Sequence, residues 1–444
     1  MTRRRAVWIW LALLLGLTAL DWGLHRGWRD APGWELELIA RNVAAGRGFG
    51  FPSEDRWLFA PEPPGAVYPT AWREPLYPAF IAGAFAALGE ERGRELVAAT
   101  QAFALVLTAS AVAWLGVRVF DLPTGLLAGA ALWLLPAVRA NARGNLDNAV
   151  PAALLVCLAA LAILRVAERP TLRGGIGLGA LLGAGALVHA VLLLFAPIAA
   201  CFIAAGAKPT PRSPGRPAAI ALLLAAAVVL TPWTLRNWSV FGRIVPVRNG
   251  LGQNALLGSA TLAETFLPDY HACDAGTGPP WRTDGALASL VRSRSPRDRS
   301  ALYDRQVACM DATAPPGFER MLEAERDAAY ARHALAFVAE RPGVAIGLSL
   351  RRLALFLFPE NDGWQCATSG LALAGIAVSL RRREARLLAL LCAAWALPYA
   401  LCAIFYYRYR YPIEPLLALF AARAVVAGFA AARRSRGAAA PVRA

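Results

Sequence analysis

The sequence predicts an all-α polytopic membrane protein, with about ten transmembrane helices, further helices at the interface and a mixed outer loop region. Three observations carry this. Apolar residues make up 57% of the 444-residue chain and the mean hydropathy is +0.44, against roughly 45–50% apolar residues in soluble domains. The excess is concentrated in long Leu, Ala, Val and Ile runs, the composition of bilayer-spanning helices. Arginines cluster in the short loops between alternate runs, where positive charge sets membrane orientation.

The runs cover residues 6–24, 95–117, 123–138, 148–166, 174–188, 190–206, 217–233, 366–380, 386–403 and 412–431. Several fall short of the ~20 residues a bilayer needs, so their ends are blurred. The N-terminus, Met1-Thr-Arg-Arg-Arg, places the start of the chain in the cytoplasm. With no small-x-small cleavage site after it, the first run reads as a retained helix and not a removed leader. Counting spans then puts Arg165/Arg169/Arg173, Lys208/Arg212/Arg216, Arg381/Arg382/Arg383/Arg386 and Arg433/Arg434/Arg436 inside as well, as the positive-inside rule requires. Two more apolar stretches, 75–89 and 343–358, are left out of the count. Admitting the first alone would turn the later arginine loops outward, and the second carries Arg351 and Arg352 at its centre, a costly pair at mid-bilayer. Both read as interfacial or re-entrant helices. The chain thus divides into a transmembrane core (1–233, with a first outer loop at 25–94), an outer region (234–365), and C-terminal helices with a cytoplasmic tail (366–444).

Net charge is +16, but the placement of the arginines in membrane loops argues against nucleic acid as a partner. The four His residues are scattered, and of seven Cys five lie in or beside apolar runs, so no metal-ligand cluster is written here. Cys273 and Cys309 lie in the outer region, where a disulfide between them is permitted. No Gly-rich nucleotide loop is visible. No cofactor is expected, a divalent metal being the one addition left open.

The candidate chemistry sits at outer loop edges. Glu35, Ile39 and Asn42 share one face of a short helix ending at Gly46; Glu35 there is placed to accept a proton from an acceptor hydroxyl, although composition alone favours a solvated carboxylate. Arg73 and Glu74 precede Pro75 at the start of the interfacial helix, and bare spacing does not separate a site from an exposed ion pair. Asp147 stands at the start of the fourth span, where an N-cap is the plain reading, yet it opens on the same outer side as Glu35. Arg236 and Asn237 follow Pro232 at the end of the seventh span. Arg408 and Arg410 alternate with Tyr407, Tyr409 and Tyr411 before the last. Such segments suit an aromatic belt with snorkelling arginines and equally a lipid phosphate gripped by the planar guanidinium. In an extended chain Arg408 and Arg410 would project to one side.

Taken in order, these motifs resemble the GT-C class of membrane glycosyltransferases, most closely the glycosyltransferase family 39 group of protein mannosyltransferases and aminoarabinose transferases. The likeness lies in Glu35-x-x-x-Ile-Ala-x-Asn-x-x-x-Gly-x-Gly-Phe, Pro69-Thr-Ala-Trp-x-x-Pro-Leu-Tyr-Pro, Pro232-Trp-Thr-x-Arg-Asn-x-x-x-Phe-Gly, Val245-Pro-Val-Arg-Asn-Gly-x-Gly-x-Asn and Arg408-Tyr-Arg-x-Pro-x-Glu-Pro. The resemblance implies inverting transfer of a sugar from a polyprenyl-phosphate donor to a lipid, glycan or protein acceptor, at the outer face of a bacterial cytoplasmic membrane. It implies Glu35 as base, Asp147 as second acid, and Arg73, Glu74, Arg236, Asn237, Arg408 and Arg410 as substrate-binding residues. His189-Ala190 departs from the Asn-Pro or Arg-Pro often found after the fifth span. The alternative is a lipid or glycan transporter or flippase. Transporters tend to place ionisable groups at mid-bilayer, whereas the candidates here lie at loop edges.

Overall fold

The computed structural model describes residues 3–24, 35–52, 66–144, 146–206, 215–263, 317, 321–359, 362–402 and 407–438. Cys273 and Cys309, and with them the expected disulfide, lie outside the described residues, as do Lys208 and Arg212.

The described chain is helical except for one small hairpin. In order run α1 (Arg3–Leu24), α2 (Glu35–Ala44), β1 (Gly50–Pro52), β2 (Val67–Pro69), α3 (Leu76–Leu88), α4 (Glu90–Val119), α5 (Leu122–Leu134), α6 (Pro136–Gly144), α7 (Ala149–Glu168), α8 (Leu172–Ala186), a 3-10 turn (Ala190–Leu194), α9 (Phe195–Gly206), α10 (Gly215–Phe241) and α11 (Leu251–Ala263). Further along the chain come α12 (Glu323–Glu340), α13 (Pro342–Leu357), α14 (Gly363–Ser379), α15 (Arg383–Cys402), the single turn α16 (Tyr407–Arg410), a second 3-10 turn (Tyr411–Ile413) and α17 (Glu414–Ala438). Gly50, Phe51 and Pro52 pair antiparallel with Pro69, Tyr68 and Val67.

Every one of the ten expected apolar runs is helical, though not all are of full bilayer length. Among the described residues five helices are long and apolar enough to cross a bilayer: α4, α7, α10, α15 and the stretch Arg408–Ser435. The pair α5–α6, bent by 58°, makes a sixth when counted as one broken span. The segments at Ala12–Gly23, Leu172–Ala186 and Ala190–Gly206 are apolar but shorter. The break after α8, at Leu187–His189, is what divides one apolar stretch into two short helices.

Tight helix packing follows from small residues, as in membrane bundles where no hydrophobic effect drives association. Gly175, Gly179 and Gly183 recur every fourth residue on α8. A Cβ at any of them would collide with the Ala218, Leu222 or Ala226 carbonyl of α10, so α8 and α10 meet backbone to backbone. The centre of the bundle is filled by Trp395, Phe195 and Phe420, all fully buried.

The two ends of the bundle differ in chemistry. At one end Arg118 pairs with Glu168 at 2.8 Å, Arg382 donates to the Val119 carbonyl at 2.8 Å and Arg383 to the Phe202 carbonyl at 2.5 Å. The loops expected on the cytoplasmic side therefore gather at one end. The candidate acids and arginines of the outer loops gather at the other. The stretch 343–358, excluded as a span for its arginines, is α13, and Arg352 on it is buried. Its guanidinium donates to the Ala400 and Leu401 carbonyls (3.2 and 2.8 Å) and to the Gly258 carbonyl, a positive cap on the carbonyl end of α15.

Candidate active site

At the end opposite the loop arginines, a cavity of about 360 Å³ opens between the segment just ahead of α3, the break after α8, the segment 246–254 and the ends of α15 and α16. Of the expected site residues, Arg73, Glu74, Asp147 and Arg408 line it, joined by His189 and Arg248. One part of the wall is apolar, formed by Val191, Leu193, Leu194, Leu251 and Pro398.

Each polar residue arrives by a local device. Glu74 sits just ahead of α3, whose first N–H, on Leu76, donates to the Leu187 carbonyl at 3.0 Å. Glu74 in turn accepts the Ala190 N–H at 2.9 Å and an Asn148 amide hydrogen at 3.3 Å, and Asn148 also donates to the Val188 carbonyl at 2.8 Å. The break after α8 is thereby stitched to both α3 and α7. Asp147 accepts the Ala149 N–H at 2.9 Å with one oxygen, a local side-chain turn two residues ahead of the helix; the N-cap position expected for it is held by Asn148, which makes no side-chain capping bond. The other Asp147 oxygen faces Arg408 at 3.7 Å.

Arg248 is delivered by a strap across the end of α10. Trp233 Nε1 donates to the Val247 carbonyl (2.6 Å), Thr234 Oγ1 to the Pro246 carbonyl (3.2 Å) and Asn237 Nδ2 to the Val245 carbonyl (2.9 Å). Gly250 ends the strap with φ +97°, where a Cβ would strike the Trp72 ring; only glycine meets both demands. The Arg248 guanidinium then lies over Trp72 at 5.5 Å and 3.6 Å from Glu74.

Three arginines, Arg73, Arg248 and Arg408, so converge on one cavity, each beside a carboxylate. Arg73 pairs closely with Glu35. The other two pairs, Arg248 with Glu74 and Arg408 with Asp147, stand beyond hydrogen-bond length. Burial, then the like charges of Arg408 and Arg248, push the Arg73 guanidinium down to about 9. Burial pushes the Glu74 carboxyl up, but Arg248, His189, the Ala190 N–H and Arg73 together hold it below its usual value. Burial also brings the His189 imidazole down to about 4, against the pull of Glu74. A site that crowds three guanidinium groups against one another is relieved by an anion, and planar guanidinium forks suit phosphate oxygens.

Glu35 does not itself line the cavity. It opens α2, accepts the Trp72 indole N–H at 3.3 Å and reaches the cavity through Arg73. Ile39 and Asn42 on the same face are buried, and Asn42 donates to the Gly50 carbonyl at 2.8 Å. Glu37 points elsewhere. It is buried against Arg94 at 2.5 Å, with Arg41 at 3.6 Å, and burial raises its carboxyl.

Three expected substrate-binding residues lie outside the cavity. Arg236 donates to the Thr70 and Phe49 carbonyls (2.7 and 2.9 Å) and to Asn237 Oδ1 (3.0 Å), and Asn237 is fully buried on the Val245 carbonyl. Both hold loops that carry other site residues. The expectation that Arg408 and Arg410 project to one side is overturned. Residues 407–410 form a helical turn, in which positions two apart point to nearly opposite sides. Arg408 faces the cavity, while Arg410 is fully buried, pairing with Glu414 at 2.5 Å and donating to the Phe356 (3.1 Å), Leu357 and Gln365 (3.0 Å) carbonyls. Arg248 was visible only as part of a longer motif, and its sequence signal, an Arg-Asn-Gly on an outer loop, was open to reading as a turn. His189 was visible as an ionisable residue at the end of an apolar run. Among the described residues no group of three or more His, Cys, Asp or Glu is placed to hold a metal ion.

Residues 73–235 match the family model described as dolichyl-phosphate-mannose-protein mannosyltransferase. No curated protein matches the sequence. Among solved structures, the archaeal oligosaccharyltransferase AglB from Archaeoglobus fulgidus, in complex with an inhibitory peptide and a dolichol-phosphate, is similar at 16% identity, covering 98% of this chain and 52% of that one with a TM-score of 0.54. The apo form of the A. fulgidus oligosaccharyltransferase gives 16% identity, 96% and 51% coverage and a TM-score of 0.53. ArnT from Cupriavidus metallidurans bound to undecaprenyl phosphate gives 15% identity, 96% and 79% coverage and a TM-score of 0.37. This chain spans about half the length of the archaeal oligosaccharyltransferase chain. The GT-C resemblance of the motifs is thus met again by the family model over residues 73–235, and by the fold across nearly the whole chain.

Proposed function

We propose that the chain is an inverting glycosyltransferase that takes a sugar from a polyprenyl-phosphate donor at the outer face of a bacterial cytoplasmic membrane. The acceptor is a lipid, glycan or protein. The observation that carries this reading is the convergence of Arg73, Arg248 and Arg408 on a cavity with an apolar wall, at the end of the bundle opposite the clustered loop arginines. A prenyl chain is too apolar to leave the bilayer, so its phosphate must be met at the interface. The dolichol-phosphate in the AglB complex supports the same class of ligand.

In this reading the acceptor hydroxyl gives its proton to Glu35 as its oxygen attacks the anomeric carbon. The bond between that carbon and the phosphate oxygen breaks, and its electron pair leaves on the lipid phosphate, which becomes a dianion. The three arginines are placed to meet that growing charge, and preorganised electrostatics of this kind is commonly the largest part of catalysis. Arg73 links the two events. A phosphate in the cavity shares its guanidinium with Glu35, loosening the ion pair and making Glu35 a better base.

The test is transfer by purified protein in nanodiscs, with radiolabelled polyprenyl-phosphate sugars as donors. Glu35→Gln is expected to lower turnover by roughly 100-fold or more, while Glu37→Gln leaves it near wild type. Movement of the lipid across a vesicle membrane with no sugar transfer from any donor would replace this reading with a flippase. Full activity in Glu35→Gln would assign the base elsewhere.

A further inference from the structure

We infer that Glu323, a carboxylate outside the cavity, is a positioning residue that sets the spacing of Arg73 and Arg248. The inference rests on the reading of those arginines as a lipid-phosphate grip. Glu323 opens α12, in the second outer segment. Its Oε1 accepts the Ala71 N–H at 2.9 Å and an Asn249 amide hydrogen at 2.8 Å, and its Oε2 accepts the Thr70 hydroxyl. Ala71 lies two residues before Arg73, and Asn249 directly follows Arg248.

The same two segments also bond to each other, the Asn249 N–H donating to the Ala71 carbonyl at 2.8 Å. One carboxylate therefore closes a three-part joint between the segment that delivers Arg73, the strap that delivers Arg248, and α12. A second stitch from the same helix, Asp327 accepting the Gln253 N–H at 2.9 Å, fixes α12 along α11. Burying a carboxylate is costly unless hydrogen bonds replace its water. Here every replacing donor belongs to an arginine-bearing segment. Burial raises the Glu323 carboxyl even against the Thr70, Asn249 and Ala71 hydrogen bonds. What the joint needs is oxygen geometry more than charge: a glutamine can accept both N–H groups on Oε1 and donate to Thr70 Oγ1 through Nε2.

Positioning matters because a bidentate guanidinium grip is directional. A shift of either segment leaves the charges in place and spoils the shared geometry. The test is binding of undecaprenyl phosphate to the full chain in nanodiscs, normalised to folded protein by thermal unfolding. Glu323→Ala is expected to weaken binding by about tenfold, the loss of one charge-assisted contact. Glu323→Gln should bind within about twofold of wild type, since its hydrogen bonds are retained. Thr70→Val removes the donor to Glu323 and the acceptor of the Trp72 N–H while leaving the carboxylate with its Ala71 and Asn249 bonds, and provides a second variant should Glu323→Ala fail to fold; it is expected to weaken binding by about threefold. Wild-type affinity in folded Glu323→Ala or in Thr70→Val would overturn the inference. So would a Glu323→Gln variant as weak as Glu323→Ala, since that would make the charge the active feature. If the wild-type chain binds no undecaprenyl phosphate, the donor reading falls and this inference with it; wild-type binding with unaffected variants sinks this inference alone.

Discussion

Arg248 lies over the Trp72 ring with Glu74 at 3.6 Å, a position that depends on a flat guanidinium able to stack and fork at once. Lysine keeps the charge and loses both properties. Arg248→Lys is therefore expected to lower affinity for undecaprenyl phosphate by about tenfold, measured by titration in nanodiscs, with little change in thermal midpoint. An unaltered affinity would remove Arg248 from the grip. His189 makes a pH prediction. Its imidazole is brought from an ordinary 6.5 to about 4 by burial, so the folded protein resists protonation while the unfolded chain accepts it. A depressed folded value means stability that is fully present above pH 6.5 and lost as pH falls through about 4, on the order of 3 kcal/mol in all. The neighbouring charges on every side are Glu74, Arg73, Arg248 and Asp147, with Tyr399 facing Nε2 at 3.5 Å. His189→Gln should flatten the fall in thermal midpoint between pH 6.5 and 4; an equally steep fall in the variant would assign it to the carboxylates. At this scale the sequence was legible for chemical type and poor for partners. Glu35 and Glu37 are two residues apart in the chain, and only the fold turns the first towards Arg73 and the second towards Arg94.

The turn α16 shows how an element redistributes roles. Arg408 and Arg410 look equivalent in a Tyr-Arg alternation, and an extended chain would have kept them together. Helical geometry sends one to the cavity and the other into a fully buried ion pair with Glu414. Removing one partner of such a pair leaves a buried charge uncompensated. Arg410→Ala is expected to destabilise the fold by about 3–5 kcal/mol, seen as a lower thermal midpoint in detergent. Arg408→Ala should spare the midpoint and lose lipid-phosphate affinity. A stable Arg410→Ala with impaired binding would reverse the two assignments. The strap 245–249 makes a related point. Its motif and the Pro232-Trp-Thr-x-Arg-Asn motif were each visible in the sequence. That the second holds the first, through Trp233, Thr234 and Asn237, was not, because the bonds run to backbone carbonyls and leave no mark on residue type.

Across the whole molecule, the loop arginines at one end and the cavity at the other predict opposite sides of the membrane. In a variant with its native cysteines removed, single cysteines at position 143 and near either terminus are expected to label from opposite faces. Labelling of position 143 only from the cytoplasm would break the orientation. The sequence by itself determined the membrane class, the helical character of all ten apolar runs and of the stretches 75–89 and 343–358, and the chemical type of the candidate residues. It could do so because bilayer thickness and charge asymmetry act on stretches of chain, so their signals add along the sequence. Only the tertiary structure decided how apolar length divides into five or six full-length helices and shorter segments. It alone drew Arg73, Arg248 and Arg408 to one cavity while holding Arg236, Asn237 and Arg410 as braces. Such choices depend on which side of a turn a side chain leaves from and which distant carbonyl or carboxylate it meets there. Those pairings join residues as far apart as Thr70 and Glu323, and they are settled by packing in three dimensions, which no local pattern of residues records.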